Sequence, residues 1–265
     1  MTAAVPARAR WSAWFWRAVG VAVLLTVWQL IALAVYNLAV LPAPIDVVEN
    51  LVRNFGGSAG LAYLGLSETS YLGNLRYTAG IVLTAWLVGS ALGLSGVVAA
   101  RLQWVRDLTD PVLYVFGVVP VVVAAPFALI WFGFGPVGQW ILVAFFSYVT
   151  VAVASLAAAL RLAPRYEEYA ATLGVAMAAR LRTVVLPAVA PATSSAVRVA
   201  LGAAWSLQVV AELFGSETGV GRVIAVRAKT GDVPSVMAVI IVLGLVALVC
   251  DLAVARLAKR SGAWQ

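Results

Sequence analysis

Six stretches of this chain are apolar over bilayer length, and polar segments separate most of them. They fall at about residues 18–40, 77–100, 111–132, 137–160, 184–213 and 235–254. Each holds roughly the 20 residues that a helix needs to cross a hydrocarbon core. The third and fourth are divided by length alone, because no charged residue occurs between Asp110 and Arg161. A single helix over that run of 50 residues would reach ~75 Å, against a core of about 30 Å. It must fold back, and Gly133-Phe134-Gly135-Pro136 is the turn. Pro120 and Pro126 are expected to break the first of the two spans, and a broken span faces protein or a cavity rather than lipid. The second span is punctuated by Gly80, Gly89, Ser90, Gly93 and Gly96, a spacing that lets helices approach closely in a membrane.

The connections have patterns of their own. Leu41-Pro42-Ala43-Pro44 ends the first span, and Val47, Val48, Leu51, Val52 and Phe55 then recur at helical spacing. That predicts a short amphipathic helix lying on the membrane surface. Gly56 to Gly65 and Phe214 to Pro234 read as loops. Residues 161–183 form the longest charged segment between two spans and predict two short helices with a joint at Gly174. Pro164 marks the start, Glu167 and Glu168 suit a helix N-terminus, and Arg180 and Arg182 a last turn. Leu186-Pro187 then opens the fifth apolar run.

Composition sharpens this into an all-α, polytopic membrane protein. Hydrophobic residues make up 63% of the 265 and charged residues 11%, against roughly 25% charged in soluble domains. The formal charge of +7 is scattered between spans rather than gathered on one face, which argues against nucleic-acid binding and for topology-setting loops. Twelve Arg and Lys lie at the N-terminus, at Arg101 and Arg106, in the 161–183 loop and at the C-terminus. Five lie on the other side: Arg53, Arg76, Arg222, Arg227 and Lys229. Both termini and the charged loop are therefore expected in the cytoplasm. Trp11, Trp14 and Trp16 form an aromatic belt before the first span. That span is too long for a signal-peptide core and is read as retained. With no His and one Cys, Cys250, inside an apolar run, His-based catalysis and an intramolecular disulfide are excluded.

Within the charged loop, Glu168, Ala170, Gly174 and Leu186-Pro187 match in spacing the E-A-A, Gly, hydrophobic-x-Leu-Pro string of ATP-binding-cassette importer permeases, with Tyr169 in place of the second Ala. The chain resembles that family. Leu41-Pro42-Ala43-Pro44, Leu129-Ile130-Trp131-Phe132-Gly133, Val197-Arg198-Val199-Ala200-Leu201-Gly202, and Ala211-Glu212 followed by Gly219-Val220-Gly221 are similar to its nitrate/sulfonate/taurine branch. The resemblance implies a type I importer permease fold in a bacterial inner membrane, with a cytoplasmic coupling helix. It also implies ATPase subunits, an extracytoplasmic solute-binding protein and a second permease copy, with a homodimer as the default. Tyr166, Glu168, Ala170, Leu173, Gly174, Leu186 and Pro187 are then the residues expected to couple to the ATPase. The chain carries no G-x-x-x-x-G-K-[ST] phosphate loop, so ATP and Mg belong to the partner and no cofactor is expected here.

Four residues of the fifth span are candidates for a solute path, and each has a bland alternative. Arg198 lies near mid-membrane, where a charge is costly and normally faces the bundle interior. It stands beside the path or bonds carbonyls or acidic groups of a neighbouring helix. Glu212 is a gate residue or pairs with Arg222 or Arg227. Trp205 and Gln208 share its helix face, either lining the path or packing. The expected activity is uptake of a small, anionic solute by alternating access, with ATP hydrolysed elsewhere. A stand-alone secondary transporter or channel is the alternative, disfavoured because the spans offer only Glu212 and Asp251 as acids, both near their ends. An intramembrane enzyme is poorer still, without His or paired acids.

Overall fold

The computed structural model describes residues 7–162, 169–170 and 172–261, and every regular element among them is helical. The elements are α1 Ala7–Val35, α2 Pro44–Asn54, α3 Ala59–Tyr63, α4 Tyr71–Gly93, α5 Ser95–Ala99, α6 Gln103–Val118, α7 Val121–Phe132 and α8 Pro136–Leu160. They continue with α9 Met177–Leu213, α10 Val220–Lys229 and α11 Val233–Ser261. Five helical stretches are long and apolar enough to cross a membrane, and the pair α6–α7 makes a sixth if counted as one broken span.

Helix α8 sits at the centre, with α4 and α9 packed along it. The glycines of the second span explain how close α4 and α5 come. A Cβ on Gly89 would meet the Ala144 carbonyl, one on Gly93 the Val151 side chain, and one on Gly96 the Ala152 carbonyl. Small residues at i, i+4 and i+7 thus press one helix backbone against the next. Val82, Ala85, Leu129, Leu142, Val143, Leu201 and Ala204 fill the core between them.

Several boundaries differ from the sequence expectation for local reasons. Helix α1 ends at Val35, five residues early, where Tyr36 takes φ 48°, a left-handed conformation that terminates a helix. Helix α4 starts six residues early, capped by Ser70, whose Oγ accepts the Gly73 N–H at 2.9 Å. The third span is bent by 111° at Val119–Pro120. Pro120 breaks it, whereas Pro126 and also Pro111 stay inside their helices. The fifth span does not open at Leu186-Pro187: α9 starts ten residues before Pro187. Just ahead of that proline, Leu181–Val185 widens into a π-helical turn. The proline ring would otherwise crowd the carbonyl four residues back, and the wider turn relieves this. Arg180 and Arg182 therefore stand at the beginning of a long helix rather than in a last turn. Two expected loops contain helices: α3 lies within Gly56–Gly65, and α10 within Phe214–Pro234.

On the side opposite the Arg-rich loops, α2, α3 and α10 build a cap over the ends of α4 and α11. Val47, Leu61, Leu66, Tyr71, Val220 and Val223 form its apolar centre. Hydrogen bonds rim it: Asn50 Nδ2 donates to Ser235 Oγ at 3.0 Å, Tyr71 Oη to Asn50 Oδ1 at 2.9 Å, and Arg227 reaches Asp232 at 3.0 Å and Ser58 at 3.2 Å.

Candidate functional site

Of the expected coupling residues, Ala170, Leu173 and Gly174 lie just ahead of α9, and Leu186 and Pro187 lie within it. Tyr166 and Glu168 fall outside the described residues. Tyr169, Ala170 and Thr172 belong to a helical turn that Gly174 ends with φ 72°. The Val175 N–H returns to the Ala170 carbonyl at 3.1 Å, the six-to-one bond of a Schellman stop, for which glycine is preferred because a Cβ penalises positive φ. Ala170 is turned inward, while Tyr169 and Leu173 are 71% and 69% exposed. Two large apolar side chains thus stand free on a polar loop, next to a helix continuous with the bundle. Leu186 and Pro187 are exposed on the first turns of α9 beyond the π-helical segment.

From Met177 to Leu213 the helix runs ~55 Å, far beyond the hydrocarbon thickness of about 30 Å. Its two faces differ. Ser195, Arg198, Val199, Gly202 and Ser206 are exposed, and a Cβ on Gly202 would meet nothing within 4 Å. Arg198 is engaged by an acid: its Nε donates to Asp251 Oδ1 at 2.9 Å and its Nη2 to Oδ2 at 2.6 Å. This two-point pair joins α9 to α11 while both side chains remain partly exposed. The acidic-neighbour alternative for Arg198 is thus the geometry observed, with Asp251 as partner.

Trp205, Gln208 and Glu212 do share a helix face, and it is closed. They are 4%, 0% and 0% exposed, packed against α4 and α8, so in this structure none opens onto a path. Glu212 accepts from Thr78 Oγ1 at 2.7 Å and Gln208 Nε2 at 2.8 Å on one oxygen, and from the Gly221 N–H at 2.8 Å on the other. Among the described residues no ion pair joins it to Arg222 or Arg227, and Arg227 binds Asp232 and Ser58 instead. Gln208 Nε2 also donates to Gln139 Oε1 at 2.8 Å, which accepts from Tyr77 Oη at 3.2 Å. The network satisfies the Glu212 carboxylate and the Gln208 amide nitrogen, whose burial would otherwise be costly, while among the described residues Gln208 Oε1 and Trp205 Nε1 have no hydrogen-bond partner.

Sequence reasoning missed Asn74, Thr78 and Gln139. Asn74 Oδ1 accepts the Gly219 N–H at 2.7 Å, and Thr78 Oγ1 accepts the Val220 N–H at 3.0 Å. The signal was present: Asn74 and Thr78 are polar residues at i and i+4, one turn apart near the start of a largely apolar helix, and therefore on one face.

Comparison with known proteins decides the class. Residues 91–262 match the binding-protein-dependent transport system inner membrane component family. The chain belongs to this family. It is an ATP-binding-cassette importer permease of the branch that includes taurine, sulfonate and nitrate permeases. It is 30% identical over 249 residues to the taurine transport system permease protein TauC of Escherichia coli (strain K12), covering 92% of this chain and 87% of that one. Against the nitrate import permease protein NrtB of Synechococcus elongatus it is 28% identical over 245 residues, covering 88% and 84%. A solved structure of the MetNI methionine ABC transporter in an inward-facing conformation has the same fold: TM-score 0.64 at 14% identity, covering 77% of this chain and 99% of that one. The permease is thus a multi-pass inner-membrane protein.

Proposed function

We propose that this permease couples ATP hydrolysis by separate ATPase subunits to uptake of a small, anionic solute, sulfonate-, nitrate- or taurine-like, by alternating access. The observation that carries the reading is the continuity of α9: one helix leads from the exposed Tyr169–Gly174 turn through the depth of the bundle to its far end. A push on that turn moves the far end with it. The ATPase docks on Tyr169 and Leu173, with Tyr166 and Glu168 extending the contact, Gly174 shaping the turn and Ala170 seating it. The excess of Arg on that side supports a cytoplasmic location for both termini and the loop. An extracytoplasmic binding protein delivers solute to the opposite cap.

Two copies of the chain enclose the path. A half-exposed ion pair at membrane depth is costly against acyl chains, so the face carrying Ser195, Arg198, Gly202 and Ser206 is turned to water or to the second copy. That stripe supplies the path wall; Trp205, Gln208 and Glu212 support it from behind. Arg198 meets an anion with the N–H groups that Asp251 leaves unused.

The test is ATPase activity of the reconstituted complex of permease, cognate ATPase and binding protein, over a panel of anionic and neutral solutes. Stimulation by one loaded binding protein, abolished by Glu168→Lys, is expected. A complex in which no ATPase co-purifies with the wild-type permease overturns the reading.

A further inference from the structure

Three consecutive backbone N–H groups, those of Gly219, Val220 and Gly221, end on three buried side chains from two other helices: Asn74, Thr78 and Glu212. All three side chains are 0% exposed. These N–H groups lie at the start of α10, where an α-helix has no internal acceptors and its dipole favours a carboxylate. Space is filled as closely as hydrogen bonds are. A Cβ on Gly219 would overlap the Glu212 carboxyl group, and one on Gly221 the Val209 carbonyl. The turn is therefore gripped from the α4 side by Asn74 and Thr78 and from the α9 side by Glu212. Thr78 and Glu212 also bond each other at 2.7 Å, so the two sides form one unit.

We infer that Asn74, Thr78 and Glu212 are positioning residues for transport, forming a clasp that fixes the far end of α9 to α4 and to the α10 cap. The inference rests on the importer reading above. In that reading α9 carries the displacement of the ATPase-docking turn across the membrane. A displacement does mechanical work only where the far end of the lever is attached. With the clasp closed, movement of α9 shifts α4 and α10 together and opens or closes the outer mouth. With it open, α9 moves and the mouth does not follow. ATP is then hydrolysed without solute crossing. The clasp touches no solute and takes no part in hydrolysis.

The test compares Thr78→Val with Thr78→Ser in proteoliposomes holding permease, ATPase and loaded binding protein, with solute uptake and ATP hydrolysis measured in the same vesicles. Valine matches threonine in shape but neither accepts from Val220 nor donates to Glu212; serine keeps the hydroxyl. Expected for Thr78→Val is hydrolysis at or above the wild-type rate, with solute moved per ATP lowered about tenfold or more, the scale of two lost buried hydrogen bonds. Thr78→Ser should restore the ratio to within about twofold of wild type. A normal ratio in Thr78→Val overturns the clasp, as does a proportional loss of uptake and hydrolysis, which marks a folding defect. Equal defects in Thr78→Ser and Thr78→Val also overturn it, since the hydroxyl is then not what matters. Failure of the importer reading looks different: the wild-type vesicles themselves would show no ATPase.

Discussion

Two glycines with positive φ stand near the two ends of α9, and their surroundings are opposite. Gly174, at φ 72°, would meet nothing within 4 Å if it carried a Cβ, whereas Gly219, at φ 111°, would drive one into the Glu212 carboxyl group. Both need glycine for backbone conformation, but only Gly219 needs it for space. The first shapes a turn whose large apolar side chains point away from the chain. The second lets the chain close on itself around a buried carboxylate. In the proposed mechanism the open end receives force from a partner and the closed end delivers it within the same polypeptide.

The largest effect is expected at the closed end. Gly219→Ala adds backbone strain of ~1–3 kcal/mol, because φ 111° with ψ 163° is a region open essentially to glycine alone, to an overpacking cost of ~1–3 kcal/mol. Its thermal unfolding midpoint in detergent should therefore fall well below that of Gly174→Ala, which carries the strain alone. Equal midpoints would break the contrast between the two turns. Next comes Glu212→Ala, which strips acceptors from Gly221 and Gln208 and leaves buried donors unpaired at ~1–3 kcal/mol each. Glu212→Gln keeps an oxygen for Gly221 and should lose less. A Gln variant as unstable as the Ala variant would mean that the negative charge, not the acceptor, holds the turn.

The two ends were not equally readable in the sequence. The turn at Gly174 was legible because its determinants are local: a glycine between two helical segments, then Leu186-Pro187 at fixed distance. The clasp was not, since Asn74 lies 145 residues from the Gly219 N–H it accepts, and no periodicity within one segment reports such a pairing. Glu212 and the Gly219-Val220-Gly221 string both stand out in the sequence, yet the acid alone points to a gate or to arginines. Charge alone suggests an ionic partner, whereas the structure pairs it with a hydroxyl, an amide and a backbone N–H. The glycines that frame α10 read as loop, although Val220, Val223 and Ile224 carry helical spacing. The start of α9 is hidden in the sequence for a related reason. Pro187 looked like a helix opening, and the π-helical turn that accommodates it leaves no mark in hydrophobic pattern.

Between the two ends, Arg198 and Asp251 tie the lever to the last helix, α11. Removing either partner alone leaves a charge at membrane depth without its counter-ion. Arg198→Ala and Asp251→Ala should each lower the yield of inserted, monodisperse permease, and the charge-exchanged pair Arg198→Asp with Asp251→Arg should recover much of it. Uptake discriminates further. Recovery of yield without recovery of uptake would show that the guanidinium must lie on α9, on the exposed stripe, for solute to pass. Recovery of both would reduce the pair to a tie between helices.

The smallest effect on stability, and the sharpest on partnership, belongs to the open end. Tyr169 and Leu173 are largely exposed and pack little against their own chain. Tyr169→Ala and Leu173→Ala should shift stability by no more than about 0.5 kcal/mol, as surface substitutions do. If these side chains are the anchors of an interface, each truncation costs more than ~1 kcal/mol of binding, so ATPase retained on the immobilised permease should fall about fivefold or more. Gly174→Asn separates shape from contact, because asparagine tolerates the left-handed conformation that alanine resists. It should retain ATPase nearly as well as wild type while Gly174→Ala does not. If both substitutions at Gly174 bind normally and the Tyr169 and Leu173 truncations do too, the exposed turn is not the docking surface. Movement must then enter α9 elsewhere along its first turns.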